Sequence, residues 1–468
     1  MMSRRTFMRV AVAAMCSVWP IAVSADVVDD DAPPNIILIL ADDQGWNGLS
    51  SPMSKRVPGS KSDYYQTPNL DRLCEEGMRF SQGYASATVC SPTRHSIQFG
   101  MSPAKIRVTY NNSKNRQLCD PTLALPNLIK KADSRYATAH FGKWHVSFKP
   151  HACGYDVSDG DTSNQTGNPN NQPNDPKRVY EVTARSIAFM EKQVETETPF
   201  FLQVSHYADH LTFKSSPKML EKYQALPPGT LHSSPVFAGM NEDLDRGVGG
   251  ILDAVDRLGI KNNTFIVYLA DNGFDEGHGS LAKRKAWPLS YSKGFVFEGG
   301  IRVPFIVCGP GIRAGAFSDV PVIGYDLIPT FLELIDPDFS LPECMEGGSF
   351  LPLLNNSDVS TLARPHDFFV FHYPAGRWPA QTSLLQGPFK IVKTWASGDV
   401  QLFRLDDDLS EQHDISRQMP EKTDELYQEM MSYLKRVNAE FPAGYDEVTD
   451  RIQKEKARAS KQKKKKRI

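Results

Sequence analysis

Residues 34–45, PNIILILADDQG, contain an uninterrupted apolar run that ends at two aspartates. A short continuous apolar run is typical of a strand buried on both faces, as in a parallel sheet. Similar runs recur along the chain: YATAHFGKWH (136–145), PFFLQVSHYADH (199–210), NTFIVYLADNG (263–273) and RVPFIVCG (302–309).

Helical patterns separate these runs. In TPNLDRLCEEGMRF (67–80), Thr67 can cap a helix and Pro68 fits its first turn. In NEDLDRGVGGILDAVDRLG (241–259), apolar residues recur at helical spacing, namely Leu244, Val248, Ile251, Leu252 and Val255. Strands that alternate with helices predict an α/β fold, with a large doubly wound, mixed and mostly parallel sheet flanked by helices.

The pattern changes after about residue 360. Residues 366–408 alternate short β-like runs with turns, and a helix is predicted over roughly 420–437. We therefore expect a large domain over 26–360 and a smaller α+β domain with an antiparallel sheet over 361–450. Residues 157–178 contain almost no apolar side chains, which predicts a long loop that is either disordered or a lid over a site.

Both ends of the chain differ from the rest. Residues 1–25 combine a basic start, an apolar stretch and a small-residue cleavage site, which predicts a signal peptide. SRRTFMR within it resembles a twin-arginine export signal, with an ordinary secretory signal as the alternative. We expect export in a bacterium, to the periplasm, and no other segment suits a membrane span. Residues 451–468 are basic and predict a disordered tail, with a tether to an acidic polymer as the alternative.

Charge and cysteine content narrow the function classes. The 53 basic and 55 acidic residues nearly balance, which argues against nucleic acid as the main partner. The 7 cysteines show no zinc-type C-x-x-C pair, and Cys16 lies in the predicted signal peptide. If Cys90 is set apart, an odd number remains in the mature chain, so at least one is expected to be free and buried.

Oxygen-bearing side chains follow two of the predicted strands. Asp42 and Asp43 come after the first run, and Asp271 and Asn272 come after TFIVYLA. Because the carboxyl ends of parallel strands meet at one sheet edge, these residues should converge. Oxygen ligands of this kind suit calcium or magnesium. A turn or a helix cap is the alternative for any single aspartate.

Basic residues and histidines follow the other strands. Lys143 and His145 come after ATAHF, and His206, Asp209 and His210 come after FFLQVS. With Lys293, we expect Lys143, His145 and His210 to line an anion pocket beside the metal. A surface position is the ordinary alternative for GKWH alone.

Cys90 lies in ATVCSPTRHS (87–96), two residues before Pro92. Proline favours the first turn of a helix, so Cys90 is predicted at a helix N-terminus, where free N–H groups favour negative charge. Arg94 lies one turn further on. These residues alone leave three roles open for the thiol: buried filler, disulfide partner or thiolate nucleophile.

The sequence CSPTR (90–94) resembles the signature of the type I sulfatases, in the alkaline phosphatase superfamily. Further blocks resemble that family in the family's order: ADDQG (41–45), GKWH (142–145), LADNG (269–273), SKGFVFEGGIRVPF (292–305) and LFRLDDDLSEQHDIS (402–416). The similarity spans roughly residues 34–415. It implies a sulfuric ester hydrolase, similar to the bacterial exported arylsulfatases.

The resemblance implies chemistry that no spacing shows. In the family, this cysteine is oxidised to formylglycine by a formylglycine-generating enzyme, so Cys90 would be the modified residue. One hydroxyl of the hydrated aldehyde attacks the sulfur of a sulfate ester and the alcohol leaves. The second hydroxyl is then deprotonated, the carbonyl reforms and inorganic sulfate is released.

The same resemblance implies a role for each matching residue. The metal, calcium in the family with magnesium as the alternative, would be held by Asp42, Asp43, Cys90, Asp271 and Asn272. Arg94 would hold the hydrated aldehyde, and Lys143 and Lys293 would neutralise the sulfuryl group. His145 would be the base that releases sulfate, and His210 would donate a proton to the leaving oxygen.

This chain departs from the family pattern at three places. It has HLTF (210–213) where the family often has His-x-Pro, and Thr93 where serine is commoner. RHSIQFGM (94–101) replaces the usual RASLLTGR, which changes the wall expected on the substrate side.

The substrate is expected to be a sulfated carbohydrate. His372, Arg377 and Trp378 are candidate sugar contacts, with packing between domains as the alternative for His372 and Trp378. Two other functions stay open: a phosphonate or phosphodiester hydrolase of the same superfamily, and a non-catalytic protein that binds sulfated glycans.

Overall fold

The computed structural model describes residues 32–111, 119–275, 286–355 and 358–446. The predicted signal peptide (1–25) and basic tail (451–468) lie outside these residues and stay predictions. Within the described residues, no helix combines the length and apolarity that a membrane crossing requires.

An eight-stranded sheet in the order β5-β4-β6-β1-β7-β8-β2-β9 forms the centre of the fold. Its strands are β1 (Asn35–Ala41), β2 (Met78–Phe80), β4 (Ala137–Gly142), β5 (Val157–Ser158), β6 (Phe200–Ser205), β7 (Thr264–Ala270), β8 (Phe305–Cys308) and β9 (Ala316–Ser318). β3 (Gly83–Tyr84) and β10 (Val322–Ile323) form a separate parallel pair. The mixed, mostly parallel sheet that the sequence predicted is confirmed.

β8 is the reversed strand among those described, antiparallel to both β7 and β2. The apolar run of 302–309 gave no indication of this direction. The residues before β8, which include Lys293, lie at the carboxyl edge of β7, because Lys293 N–H donates to Phe274 O at 2.8 Å. The chain therefore enters β8 from that edge and runs away from it.

Each face of the sheet is covered by an apolar cluster, as expected for strands buried on both sides. Alternate residues of β1 enter different clusters: Ile37 and Ile39 pack on one face, and Ile36, Leu38 and Leu40 on the other. The helices are α1 (Pro68–Glu76), α2 (Cys90–Phe99), α3 (Pro103–Ile106), α4 (Leu125–Ala132), α5 (Val179–Glu195), α6 (Pro217–Ala225), α7 (Pro235–Arg257), α8 (Glu298–Ile301), α9 (Leu327–Ile335), α10 (Leu351–Asn355) and α11 (Pro420–Arg436).

The expected cap of α1 is replaced by a tertiary contact. Thr67 precedes the helix, but its hydroxyl makes no cap hydrogen bond and accepts instead from Ser50 N at 2.8 Å. The N–H groups of Asn69 and Leu70 donate to Asp245 Oδ1 of α7, at 3.0 and 2.7 Å. A local rule cannot predict this cap, because the acceptor lies 175 residues away from Leu70 in the chain.

The C-terminal part contains an antiparallel sheet of β11 (Phe368–Tyr373), β12 (Gln381–Gln386), β13 (Phe389–Thr394) and β14 (Val400–Arg404). α11 covers one face of it through Leu426, Met430 and Leu434. The other face packs on Val296, Phe297 and Ile301 of the larger part. Residues from Pro33 onward group as one unit, so the boundary expected near residue 360 stays a prediction.

The polar stretch 157–178 begins with β5, and residues 159–178 form a turn-rich loop that leads to α5; the structure describes every residue of it. Six cysteines among the described residues are free thiols, and all except Cys344 are buried. Free buried thiols were therefore correctly expected.

Candidate active site

The loops that follow β1, β4, β6 and β7 meet at the carboxyl edge of the sheet, as the sequence predicted. The register aligns Ala41 with Ala270, so Asp42 and Asp271 follow at the same level. Asp42 N–H donates to Ala208 O at 2.9 Å, and Lys143 N–H donates to Ser205 O at 2.7 Å. Adjacent parallel strands thus bring together residues that are far apart in the chain.

Three carboxylates and three cations form the centre of this site. Lys143 Nζ lies 2.5 Å from Asp42 Oδ2. Lys293 Nζ lies 2.6 Å from Asp43 Oδ1 and 2.8 Å from Asp43 Oδ2. Arg94 Nε and Nη2 both lie 2.8 Å from Asp271 Oδ2. All six side chains are buried, so each charge depends on its partner for stabilisation.

The pKa shifts follow from burial and charge. Burial alone would raise the pKa of Asp42, but Lys143, His210 and Arg94 hold it well below its usual range. Burial and the neighbouring Asp42 raise the pKa of Asp271 to about 8, against the opposing effect of Arg94. Burial opposes the charge on Lys293, but Asp43 raises its pKa.

The oxygen ligands predicted from the sequence fit a divalent cation. Asp42 Oδ1 and Asn272 Oδ1 are buried and accept no hydrogen bond from the described residues. The Asn272 amide is oriented by donating to Asp43 Oδ1 at 2.7 Å and to Gly273 O at 2.9 Å. Ligand atoms of Asp42, Cys90 and Asp271 lie within 4.8 Å of one another. Carboxylate and amide oxygens are the donors that hard cations prefer.

Cys90 is the first residue of α2, at the helix N-terminus that the sequence predicted, and is fully buried. Its Sγ lies 3.4 Å from His145 Nδ1 and 3.7 Å from Asn111 Oδ1. Asn111 Oδ1 also accepts from Ser91 N at 3.4 Å. Sequence reasoning did not single out Asn111, because a polar residue in a loop carries no distinguishing pattern.

His145 is held on the loop after β4 with a left-handed backbone, at a φ of 54°. Ser91 Oγ donates to His145 O at 3.0 Å, and His145 N–H donates to Thr162 O at 3.0 Å. Burial, followed by the charges of Lys143 and Arg94, lowers the pKa of His145 to about 3. Its ring is therefore neutral at neutral pH.

His95 connects the same loop to α2. Its Nδ1 lies 2.7 Å from Ser91 O, and its Nε2 accepts from Ser147 N–H at 2.9 Å. His95 stands in the segment where the chain departs from the family pattern. The departure therefore introduces a buried histidine that contacts Ser91 of α2 and Ser147 of the loop after β4.

The two histidines after β6 have different surroundings. His206 is fully buried, and its ring nitrogens make no hydrogen bond to the described residues. His210 Nε2 lies 3.8 Å from Asp43 Oδ2, and its side chain is 14% exposed. Burial lowers the pKa of His210 to about 4. The structure thus brings His210 into the site and leaves His206 beneath it.

The three candidate sugar contacts do not lie together. Trp378 lies on Gly294, next to Lys293, so closely that a Cβ at Gly294 would collide with its ring. The Arg377 guanidinium stacks 5.2 Å from the Trp378 ring centroid. His372 is buried in β11, with its ring nitrogens 2.7 Å from Thr382 Oγ1 and 2.6 Å from Glu440 O. These contacts favour the packing interpretation for His372 and leave Trp378 beside the site.

The profile of the family described as Sulfatase matches residues 34–337, more than half of the chain. The chain belongs to the sulfatase family. The profile described as "N-sulphoglucosamine sulphohydrolase, C-terminal" matches residues 288–440 of this sulfatase. As a member of the family it is a sulfuric ester hydrolase.

Known proteins resemble this sulfatase over most of its length. The N-acetylgalactosamine-6-sulfatase of Mus musculus is 30% identical over 407 residues, which cover 78% of this chain and 73% of the mouse protein. The crystal structure of Ps i-CgsB in complex with k-i-k-neocarrahexaose has a TM-score of 0.72 at 22% identity, covering 90% and 96% of the two chains. A protein in complex with its substrate D-glucosamine-2-N,6-O-disulfate has a TM-score of 0.69 at 19% identity, covering 88% and 100%. At such identities, the two structures support the fold alone.

Proposed function

We propose that this sulfatase hydrolyses sulfate esters of a carbohydrate, with a formylglycine made from Cys90 as nucleophile and a bound calcium ion. The observation that carries the proposal is the position of Cys90, buried at the start of α2 and 3.4 Å from His145 Nδ1. The three carboxylate–cation pairs of the site lie at the same carboxyl edge of the sheet. A disulfide or filler role would not require this surrounding.

The Cys90 side chain marks the position that the formylglycine nucleophile would occupy. When formed, the hydrated aldehyde of formylglycine supplies a hydroxyl for attack on sulfur and a second hydroxyl whose deprotonation allows release of sulfate. The N-terminus of α2 contributes N–H groups and a helix dipole that favour negative charge at this position. Asn111 and Ser91 fix the first turn of that helix.

Asp42, Asp43, Asp271 and Asn272 would hold the cation. Calcium suits this all-oxygen set, with magnesium as the alternative. When bound, the cation would polarise the sulfate oxygens and stabilise a charged nucleophile. A cation held there would also give a partner to the buried Asp42 Oδ1 and Asn272 Oδ1, which accept no hydrogen bond from the described residues.

The cations of the site bind and orient the reacting groups. Arg94 is fixed by Asp271 and by its 2.5 Å contact from Nη1 to Lys143 O, one turn along α2 from Cys90. Lys143 and Lys293 carry positive charge against Asp42 and Asp43. With a divalent cation in place, positive charge exceeds negative charge in the pocket, which stabilises charge that develops on the sulfuryl group.

The two histidines transfer protons. His145 Nδ1 lies 3.4 Å from Cys90 Sγ, so we assign His145 the proton that is removed from the group at that position. His210 Nε2 lies 3.8 Å from Asp43 Oδ2, and an anionic sulfate ester beside it would favour its protonated form. We assign His210 the proton that the leaving alcohol requires.

Relatives support a sulfated carbohydrate as the substrate class. The mouse relative is an N-acetylgalactosamine-6-sulfatase, and a structural neighbour binds a disulfated glucosamine as its substrate. Trp378, which packs on Gly294 next to Lys293, stays a candidate sugar contact at the edge of the site. Export to the periplasm by the twin-arginine route, after conversion of Cys90 in the cytoplasm by a formylglycine-generating enzyme, completes the proposal.

A paired assay tests this function. Purified protein from the native host is given 4-nitrophenyl sulfate, bis(4-nitrophenyl) phosphate and a panel of sulfated monosaccharides that includes N-acetylgalactosamine 6-sulfate. We expect turnover of the sulfates, abolished by Cys90→Ala and retained by Cys344→Ala, a control at a partly exposed thiol. Preference for the phosphodiester would favour the hydrolase alternative, and binding of sulfated sugar without turnover would favour a glycan-binding protein.

A further inference from the structure

One buried lysine of the loop between β5 and α5 contacts the segment that carries His210. Lys177 is 2% exposed. Its Nζ donates to His210 O at 2.8 Å, to Asn168 Oδ1 at 2.9 Å and to Thr212 O at 3.4 Å. A buried ammonium group is unfavourable unless other groups compensate its charge. Here two backbone carbonyls of the segment that carries His210 accept hydrogen bonds from it.

Asn168 also forms hydrogen bonds with Lys177 and with the segment that carries His210. Its amide nitrogen donates to Leu211 O at 3.4 Å, while its Oδ1 accepts from Lys177. Lys177 and Asn168 therefore contact three consecutive carbonyls, those of residues 210, 211 and 212. Both residues come from the polar stretch 157–178, which had no predicted role beyond a loop or lid.

The middle carbonyl sets the orientation of the His210 ring. His210 Nδ1 lies 2.7 Å from Leu211 O. Since a carbonyl oxygen can only accept, Nδ1 carries the proton in this contact. His210 Nε2 is consequently the nitrogen that faces Asp43, at 3.8 Å from Oδ2. The direction of Nε2 thus depends on where Leu211 O is held.

Lys177 also adds positive charge near the site. Burial lowers its pKa to about 8, with Asp42 acting against that shift. The ammonium form therefore predominates at neutral pH. Its charge is directed to the carbonyls behind His210, so a direct contact with the sulfate ester is not its role.

We propose that Lys177 is a positioning residue, which acts through the carbonyls of 210–212 to hold His210 Nε2 where the leaving alcohol receives its proton. The inference rests on the proposed function of His210. It predicts a dependence on the leaving group. An acidic phenol leaves without protonation, whereas a weakly acidic one requires it, so loss of Lys177 should affect the second kind of ester more.

The test compares kcat for 4-nitrophenyl sulfate and phenyl sulfate. General acid catalysis contributes roughly 100- to 10,000-fold, so partial misplacement of His210 should lower kcat for phenyl sulfate about 10-fold more than for 4-nitrophenyl sulfate in Lys177→Met. Lys177→Arg, which keeps the charge and the donors, should restore much of the difference. In a His210→Ala background, adding Lys177→Met should not change the ratio of kcat for the two esters any further. Lys192→Met, at an exposed site on α5, is the control.

Two results would overturn the inference: an unchanged ratio of the two kcat values, whether or not both fall, or an increase in KM alone. If Lys177→Met does not fold, Asn168→Ala removes another hydrogen bond to the same segment, at a partly exposed residue. This variant should shift the ratio of the two kcat values in the same direction. Hydrogen exchange of a peptide spanning 206–213 gives a readout without turnover. Exchange should accelerate in Lys177→Met, and unchanged exchange would contradict the positioning role. Failure of the wild type to hydrolyse either ester would instead count against the proposed function.

Discussion

Cys90 Sγ lies 3.4 Å from His145 Nδ1, across the gap between the first turn of α2 and the loop after β4. The two residues are 55 positions apart in the chain, and Ser91 Oγ ties their backbones together through His145 O. Under the proposed function, this contact places a neutral histidine beside the residue that would become the nucleophile.

Replacing that histidine should stop turnover without preventing binding. We expect His145→Gln to lower kcat by roughly 100-fold or more, the range of general base catalysis, with a smaller change in KM. Steady-state kinetics with 4-nitrophenyl sulfate measure both constants. The matched control is His151→Gln, at an exposed histidine of the same region. A kcat within twofold of the wild type would remove His145 from the mechanism.

The cation prediction concerns Asp42. Asp42→Asn keeps the shape of the side chain but removes a charge from the ligand set and leaves Lys143 without its carboxylate. We expect metal content, measured by inductively coupled plasma mass spectrometry, to fall from about one divalent ion per chain to near zero. Chelation of the wild type should lower both activity and the melting temperature. Asp338→Asn, at an exposed carboxylate, should change neither.

A third prediction concerns a buried ion network formed by Lys390, Glu298 and Glu411. Lys390 Nζ lies 2.8 Å from both Glu298 Oε1 and Glu411 Oε1, and all three side chains are fully buried. Lys390→Met leaves two buried carboxylates with less compensation, so the free energy of unfolding should fall by about 3–5 kcal/mol. Denaturant unfolding measures the change.

The network also supplies its own check. Adding Glu411→Gln to Lys390→Met removes one of the uncompensated charges and should recover part of the loss. Lys218→Met, at an exposed lysine, should leave the unfolding midpoint unchanged. Equal stability of the Lys390→Met variant and the wild type would show that the network contributes little.

The fourth prediction uses Asp245, which caps α1 from α7. Burial raises the pKa of Asp245 to about 7, against the opposing hydrogen bonds from Leu70 and Asn69. A carboxyl whose pKa is higher folded than unfolded stabilises the fold when protonated, and that contribution is lost as pH rises through about 7. Asp245→Asn keeps the acceptor for Leu70 N–H but cannot ionise.

Melting temperatures at pH 5 and pH 8 measure this effect. The melting temperature of Asp245→Asn minus that of the wild type should be larger at pH 8 than at pH 5. Asp253→Asn, an exposed neighbour on the same helix, should show no such change. A difference that is independent of pH would contradict the raised pKa.

The sequence predicted the sheet and its ligand edge because both depend on local patterns. Apolar runs predicted β1, β4, β6 and β7, and the polar residues after them converge because parallel strands end at one edge. The same patterns could not predict the reversal of β8 or the cap of α1 by Asp245. Strand direction and long-range caps depend on tertiary packing, which short windows of sequence do not contain.

The site shows the same division. Asp42, Asp43, Asp271 and Asn272 follow strands, so their position could be predicted. Asn111 and Lys177 enter from polar loops, where composition is uniform and no period distinguishes a buried lysine from a solvated one. The role of Cys90 depends on family resemblance, since a thiol at a helix N-terminus is compatible with several functions.

The most direct test of the account is the mass of the peptide that contains Cys90, isolated from the native host and analysed by mass spectrometry. The account predicts that an active preparation carries formylglycine or its hydrate at this position. An active preparation in which Cys90 is an unmodified thiol would contradict it.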